Sequence, residues 1–149
     1  MEARTGQDVA RRQQPEHPIL IVDDEEGILR SLRIALQLAG LTNLRTCPDS
    51  TVVHGLLTSE TFSLMLLDLH MPHVSGHQIL HEAAALENAP PVVVMTGSTD
   101  PLDFAEAAAA GMVDFLLKPI ERNRLIEAVR KALKWRGLRS HSADARSEA

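Results

Sequence analysis

Four short runs of apolar residues and one more polar segment alternate along the chain with longer segments in which apolar residues recur every three or four positions. The apolar runs cover residues 18–24, 64–68, 91–96 and 114–118, and the more polar segment covers residues 43–47. Apolar runs of this length are typical of strands buried on both faces, and the polar segment is typical of an edge strand. The alternation predicts an α/β fold, a doubly wound five-stranded parallel sheet with helices on both faces.

The intervening segments carry start and stop signals for helices. Helices are predicted over residues 26–39, 48–58, 75–87 and 100–111, and from residue 121 to residue 135. Ser75 opens a capping-box pattern, and Asp100 is followed by Pro101, which is favoured at the first helical position. Gly40 and Gly111 are placed to end the helices that precede them.

Composition sets the domain boundaries. Residues 1–17 lack the apolar core of a secretory signal and are interpreted as a disordered leader. Residues 18–139 are interpreted as the folded domain, and residues 140–149 as a flexible tail or the start of a linker. Only 3% of the residues are aromatic, so leucine, isoleucine, valine and alanine must fill the core.

Charge, cysteine content and hydropathy argue against several classes of function. The net charge of −5 argues against direct nucleic-acid binding by the domain, because such binding needs clustered basic surface. Cys47 is the only cysteine, which rules out an internal disulfide and fits a cytoplasmic location. No apolar run reaches membrane-spanning length, so no membrane partner is expected.

The candidate site lies where the predicted strands end. Because parallel strands bring their carboxyl ends to one edge, that edge collects Asp23, Asp24, Asp68, Thr96 and Lys118. Three neighbouring carboxylates repel one another unless a cation joins them, and their oxygens suit Mg²⁺. Lys118 and Thr96 would stabilise an anion added to Asp68, for which a phosphoryl group is the natural candidate. Asp68 is therefore predicted to be a nucleophile that forms an aspartyl phosphate.

The same residues resemble the site pattern of response-regulator receiver domains, the phosphoacceptor half of two-component signalling. That pattern has an acidic pair after strand one, an Asp with a following Met-Pro after strand three, a Ser or Thr after strand four and a Lys-Pro after strand five. The matching residues are Asp23-Asp24, Asp68 with Met71-Pro72, Thr96 and Lys118-Pro119. The match extends over residues 18–138, and these features together are far more specific than any one alone.

The resemblance implies a fold and a set of metal ligands. The fold is the flavodoxin-like receiver fold with strand order 2-1-3-4-5, an order that chemotaxis receivers exemplify, and its crevice lies between strands one and three. Asp24 would bind Mg²⁺ directly and Asp23 largely through water, together with Asp68 and the backbone carbonyl of His70.

The resemblance also implies how the domain signals. The Lys118–Pro119 bond would be cis, which aims the lysine. Thr96 and Phe115 would be switch residues, with Phe115 at the position of the family's switch aromatic. The phosphoryl donor would be a histidine kinase or a histidine phosphotransfer protein.

The last predicted helix is rich in basic residues. They are Arg122, Arg124, Arg130, Lys131, Lys134, Arg136 and Arg139. A solvated face is the simplest interpretation. The sharper one is a partner surface, or a phosphorylation-dependent homodimer, formed together with the helix over residues 100–110.

Four histidines follow Asp68 closely in the sequence. They are His70, His73, His77 and His81, and helical spacing places the last two on one face. We do not expect them to bind a transition metal, because no cysteine and no fitting set of carboxylates joins them in the sequence. His70 is expected to overhang the phosphate instead and to tune its hydrolysis.

Two other functions compete with a phosphorylation switch, which would not be a true enzyme. Phosphatases of the haloacid-dehalogenase type also use an aspartyl nucleophile, but they need a second Asp two residues later, where this chain has His70. A pseudo-receiver would lack site residues, and all are present. The output stays open between a stand-alone receiver and the N-terminal part of a longer transcriptional regulator.

Overall fold

The structure, a computed structural model, describes residues 14–147 and the side chains of residues 14–135. Its strands are β1 Ile19–Val22, β2 Leu44–Cys47, β3 Leu64–Asp68, β4 Val92–Thr96 and β5 Asp114–Leu117. Its helices are α1 Glu26–Leu38, α2 Val53–Ser59, α3 Gly76–Ala84, α4 Pro101–Ala109 and α5 Arg122–Ser147, with a 3₁₀ turn at Ser50–Val52 before α2. The predicted alternation of five strands with five helices is confirmed.

All five strands are parallel and lie in the order β2-β1-β3-β4-β5. The prediction of a doubly wound sheet with order 2-1-3-4-5 is therefore confirmed, and β2 is an edge strand as its polar residues suggest. The register pairs Val22 with Leu67, Asp68 with Met95 and Thr96 with Leu117. The ends of β1, β3, β4 and β5 consequently meet at one edge of the sheet.

Side chains that alternate along the strands build a core on each face of the sheet. Ile19 and Ile21 pack with Leu29, Leu36 and Val129 beneath α1 and α5. On the other face, a second core lies beneath α2, α3 and α4. It includes Leu20, Val22, Phe62, Ile79 and Ala107. Both faces of the central strands are therefore dry, which leaves only the strand ends for polar chemistry.

Local capping fixes where the helices begin and end. The Ser75 hydroxyl accepts a hydrogen bond from the backbone nitrogen of Gln78 at 3.2 Å. The Gln78 side chain, however, donates to Glu82 rather than reaching back to residue 75. Only half of the predicted capping box therefore forms. The Asp100 carboxylate accepts from the Leu102 nitrogen at 3.0 Å, and Gly111 ends its helix with a φ of +94°.

Two residues before the predicted start of the domain make contacts with it. Gln14 lies inside the predicted leader, yet its side-chain oxygen accepts hydrogen bonds from the backbone nitrogens of Thr42 at 2.9 Å and Asn43 at 3.3 Å. The His17 nitrogen donates to the Ser63 hydroxyl at 3.1 Å. Polar side chains before residue 18 thus contact the domain, and the boundary at residue 18 stays a prediction. Residues 1–13 of the predicted leader lie outside the described residues.

The far end of the domain is helical beyond its predicted limit. The backbone of α5 continues to Ser147, through most of the segment interpreted as a flexible tail or linker. Residues 148–149 lie outside the described part of the chain. None of the described helices is both long and apolar enough to cross a membrane.

Gly76 brings the start of α3 against the end of β3. Its backbone nitrogen donates to the Leu69 oxygen at 2.9 Å, and a Cβ at this position would lie 2.5 Å from the Leu69 Cα and 2.8 Å from the Asp68 carbonyl carbon. Such distances are far inside van der Waals contact. Only glycine therefore lets the helix approach the Asp68 backbone this closely.

Gly76→Ala is expected to destabilise the domain by about 1–3 kcal/mol, the usual cost of overpacking. The midpoint of urea unfolding measures the loss. Gly97→Ala is the matched control, since a Cβ at Gly97 meets nothing within 4 Å. Similar losses in the two variants would show that the close approach at Gly76 is not the cause.

Candidate functional site

Three predicted site residues are buried where their strands end. Asp23 is 0% exposed directly after β1, Asp68 is 3% exposed as the last residue of β3, and Thr96 is 0% exposed as the last residue of β4. The parallel register brings these positions together although they are far apart in the sequence. Asp24 is exposed at the mouth of the same crevice.

Lys118 supplies the positive charge at this edge. Its Nζ lies 2.8 Å from Asp23 Oδ2 and 3.3 Å from Asp68 Oδ2. Its backbone nitrogen donates to the Thr96 oxygen at 2.8 Å, which fixes the turn after β5 against β4. The Lys118–Pro119 bond is cis, as the resemblance implied.

The ionisation of the site follows from burial and from neighbouring charges. Burial raises the pKa of Asp68, and the Asp23 carboxylate raises it further, while Lys118 and the His70 backbone N–H oppose the rise. For Lys118, burial acts to lower the pKa of the ammonium. Its hydrogen bonds with Asp23 and Asp68 and the charges of both outweigh burial, so the pKa is raised. The site is thus a buried cluster whose single ammonium faces two carboxylates.

The carboxylate cluster fits a hard divalent cation. One oxygen from each of Asp23, Asp24 and Asp68 lies within 4.8 Å of the other two. Asp23 Oδ2 is buried and, apart from its ion pair with Lys118, has no hydrogen-bond partner among the described residues. Its lone pairs are therefore available, and three carboxylate oxygens are the donor type that Mg²⁺ prefers. A ligand role for the His70 backbone carbonyl stays a prediction.

Asp24→Ala is expected to weaken Mg²⁺ binding by about tenfold or more, because it removes the one carboxylate of the cluster that faces solvent. Isothermal titration calorimetry measures the dissociation constant directly. Glu25→Ala is the control, since it removes an exposed carboxylate next along the chain. Equal weakening in both variants would mean that Asp24 has no specific part in the metal site.

The predicted switch residues lie on the neighbouring strands β4 and β5. Thr96 Oγ1 accepts a hydrogen bond from the Ser98 nitrogen at 3.0 Å, which leaves its proton available to donate. Phe115 is half-buried, packs against the second core, and meets the Phe104 ring of α4 edge-to-face at 5.3 Å between centroids. The aromatic ring at position 115 is thus in contact with α4, a helix of the predicted partner surface.

The reason given against a transition-metal site at the four histidines was wrong. It held that no fitting set of carboxylates joins them, but α4 brings two carboxylates against the start of α3. His77 Nε2 lies 3.1 Å from Asp103 Oδ1, and His77 Nδ1 lies 3.7 Å from Glu106 Oε2. His70 Nε2 lies 3.1 Å from Asp103 Oδ2. Sequence reasoning missed these acids because they come from a different element, although their i, i+3 spacing places both on one face of α4.

One basic residue of the last helix also has a structural partner. The Arg124 guanidinium forms a bidentate pair with Asp114, at 3.1 Å from Nη1 to Oδ2 and 2.7 Å from Nη2 to Oδ1. The hydrogen bonds from Arg124 hold the pKa of the Asp114 carboxyl below its usual range. Arg124 therefore ties α5 to β5 and is not simply part of a solvated basic face.

Comparison with known proteins agrees with this geometry. Residues 19–130 match the model of the response regulator receiver domain. The chain is 30% identical over 120 residues to the C4-dicarboxylate transport transcriptional regulatory protein DctD of Pseudomonas aeruginosa, covering 80% of this chain and 26% of that protein. It is 32% identical over 117 residues to the transcriptional regulatory protein FixJ of Rhizobium meliloti, covering 78% of this chain and 57% of that protein.

A solved structure matches at the level of the whole domain. The crystal structure of FixJ-N superposes with a TM-score of 0.73 at 31% identity, and the match covers 80% of this chain and 95% of that one. The chain thus spans about a quarter of DctD and just over half of FixJ, but nearly all of the solved domain. By its fold, by the carboxylate cluster at the ends of its strands and by these matches, the chain belongs to the receiver domains of two-component response regulators.

Proposed function

We propose that Asp68 accepts a phosphoryl group in an Mg²⁺-dependent reaction, and that the phosphate then changes the surface formed by α4, β5 and α5. The observation that carries this proposal is the placement of the Asp68 carboxylate. It is 3% exposed, and its Oδ2 lies 3.3 Å from the only ammonium at this edge of the described structure. The arrangement supports a nucleophile whose product anion is neutralised as it forms.

Each residue has a role in the transfer. An oxygen of Asp68 attacks the phosphorus of a donor phosphohistidine, and the phosphorus–nitrogen bond breaks as the new phosphorus–oxygen bond forms. Lys118 neutralises the incoming oxygens, and the Thr96 hydroxyl donates a hydrogen bond to one of them. Bound at the carboxylate cluster, Mg²⁺ would offset the remaining negative charge.

The donor is proposed to be a partner histidine kinase or a histidine phosphotransfer protein, because receiver domains of two-component response regulators interact with such proteins. The domain would act as a switch rather than as an enzyme with steady turnover. Slow hydrolysis of its own phosphate would end the signal. We expect His70, whose backbone nitrogen donates to Asp68 Oδ1 at 3.2 Å, to influence that hydrolysis.

The output surface is proposed to include α4 and β5. Leu102, Phe104 and Leu117 are apolar side chains that are 61%, 51% and 52% exposed. Exposed apolar groups of this size favour contact with a partner or with a second copy of the domain. A phosphorylation-dependent homodimer through this surface fits both their position and their neighbourhood to Phe115.

Phosphorylation is tested by the intact mass of the protein after incubation with acetyl phosphate and Mg²⁺. The wild type should gain one phosphate-sized increment, and Asp68→Asn, which has no nucleophilic oxygen anion at that position, should gain none. Omission of Mg²⁺ should reduce the gain strongly. An undiminished gain in Asp68→Asn would place the acceptor elsewhere.

A further inference from the structure

A cluster of two imidazoles and two carboxylates lies next to the phosphoacceptor crevice. His70 lies in the loop after β3 and His77 in the first turn of α3, while Asp103 and Glu106 face them from α4. One ligand atom from each of His77, Asp103 and Glu106 lies within 4.8 Å of the other two. His70 joins through Asp103, and its ring centroid is 6.3 Å from that of His77.

Asp103 is the centre of this cluster. Its side chain is only 17% exposed, and its two oxygens each lie 3.1 Å from a different imidazole nitrogen. Hydrogen bonds from Ser98, His77 and His70 hold the pKa of its carboxyl below the usual range, so it stays anionic. The cluster therefore presents a fixed carboxylate with one imidazole nitrogen at each of its two oxygens.

The donor set separates this cluster from the crevice at Asp68. Mg²⁺ prefers oxygen ligands alone, whereas imidazole together with carboxylate suits the zinc class of dications. In a tetrahedral site with bonds of about 2.0–2.1 Å, ligand atoms stand roughly 3.3 Å apart. One nitrogen of His77 and one carboxylate oxygen from each of Asp103 and Glu106 lie within 4.8 Å of one another, so small side-chain rotations suffice for these three residues to surround an ion.

We propose that His77, Asp103 and Glu106 form a second metal site, which takes a zinc-class dication, with His70 beside it on the other oxygen of Asp103. The site bridges the start of α3 and one face of α4. Its occupancy would hold α4 against α3, independently of Mg²⁺ at the carboxylate cluster. The proposal concerns binding alone and does not depend on phosphorylation of Asp68.

Titration of the tag-free full chain with Zn²⁺, in the presence of excess Mg²⁺, tests the site by calorimetry. The wild type should bind one Zn²⁺ per chain. His77→Gln and Asp103→Asn should each weaken that binding by at least about tenfold, because each removes a direct ligand. His81→Gln is the matched control, since His81 is exposed one turn further along the same helix. It should leave the affinity within about twofold, as should Asp24→Ala.

A second readout guards against variants that misfold. Co²⁺ bound to nitrogen and oxygen ligands in a tetrahedral site absorbs visible light, and this absorption should appear in the wild type and vanish in Asp103→Asn. Glu106→Gln, at an exposed residue, offers a further variant that leaves the core untouched. The proposal is overturned if Zn²⁺ does not bind while Mg²⁺ is in excess. It is also overturned if His81→Gln weakens binding as much as His77→Gln, or if folded Asp103→Asn and Glu106→Gln bind as the wild type does.

Discussion

Lys118→Met is expected to lower the free energy of unfolding by roughly 3 kcal/mol at neutral pH without Mg²⁺, because it leaves two buried carboxylates without their cation. Asp23 is fully buried and Asp68 nearly so, and the Lys118 ammonium lies 2.8 and 3.3 Å from them. This loss lies at the lower end of the range for broken buried ion pairs, since the lysine side chain is 17% exposed. Urea unfolding followed by circular dichroism measures the loss.

The same prediction has an internal control. Burial and the Asp23 charge already raise the pKa of Asp68, so Asp68→Asn in the Lys118→Met background removes an unfavourable charge and should recover part of the lost stability. Lys131→Met, which removes an exposed lysine, should have little effect. If Lys118→Met is as stable as Lys131→Met, or if the second substitution brings no recovery, the charges at the crevice are not coupled as the distances suggest.

Lowering the pH should reduce the difference in the free energy of unfolding between Lys118→Met and the wild type. A carboxyl group with a raised pKa in the folded state binds its proton there more readily than in the unfolded chain. Its ionisation therefore costs stability as the pH rises above the ordinary value of 3.8, and the cost disappears below that value. Urea unfolding measured from pH 7 towards pH 4 should show this free-energy difference decreasing. A constant difference would mean that Asp68 is not the group that destabilises the variant.

Thr96→Ala is expected to accept phosphate at Asp68 but to lose most of the conformational response. Thr96 is fully buried at the end of β4, and its hydroxyl is the donor that the phosphate would recruit. Movement of Thr96 towards the phosphate would leave space that Phe115 can fill, and Phe115 is in contact with Phe104 of α4. For a switch of this kind, a coupling of about 1–3 kcal/mol is typical.

Two-dimensional NMR with and without beryllofluoride measures that response. In the wild type, shifts should spread from Asp68 through Thr96 to Phe115 and α4. In Thr96→Ala they should stay near the loops around Asp23 and Asp68. Thr58→Ala, at an exposed threonine of α2, should respond like the wild type. Confined shifts in the wild type, or a full response in Thr96→Ala, would contradict the proposed switch.

Phe115→Ala should separate phosphorylation of Asp68 from the output of the domain. It removes the ring that contacts Phe104 but no group at the crevice, so the mass gain with acetyl phosphate should persist. Phosphate-dependent self-association, measured by light scattering after size exclusion, should be disturbed. Loss of the mass gain itself would show that Phe115 supports the site rather than the output.

The site at the sheet edge could be predicted from the sequence because two simple rules place it. Apolar runs locate the strands, and the carboxyl ends of parallel strands meet at one edge. Asp23, Asp68 and Thr96 each close such a run, so their convergence needed no knowledge of side-chain contacts. Even the partner of these acids, Lys118, follows a run of the same kind.

The cluster around Asp103 could not be predicted in this way. His77 and Asp103 lie on different helices, and their contact depends on how closely α3 and α4 pack on the same face of the sheet. Hydropathy fixes which face of each helix is buried, but not which polar side chains meet at the rim between two helices. The Arg124 pair with Asp114 was missed for the same reason, since it joins a helix to a strand.

The most direct test of the phosphoacceptor assignment locates the modified residue itself. The protein is incubated with acetyl phosphate and Mg²⁺ and then treated with borohydride, which reduces an aspartyl phosphate to homoserine. Peptide mass spectrometry then reads the position. The account predicts homoserine at position 68, and none in protein incubated without the phosphodonor. Homoserine at position 23 or 24 instead, or at none of the three, would contradict it.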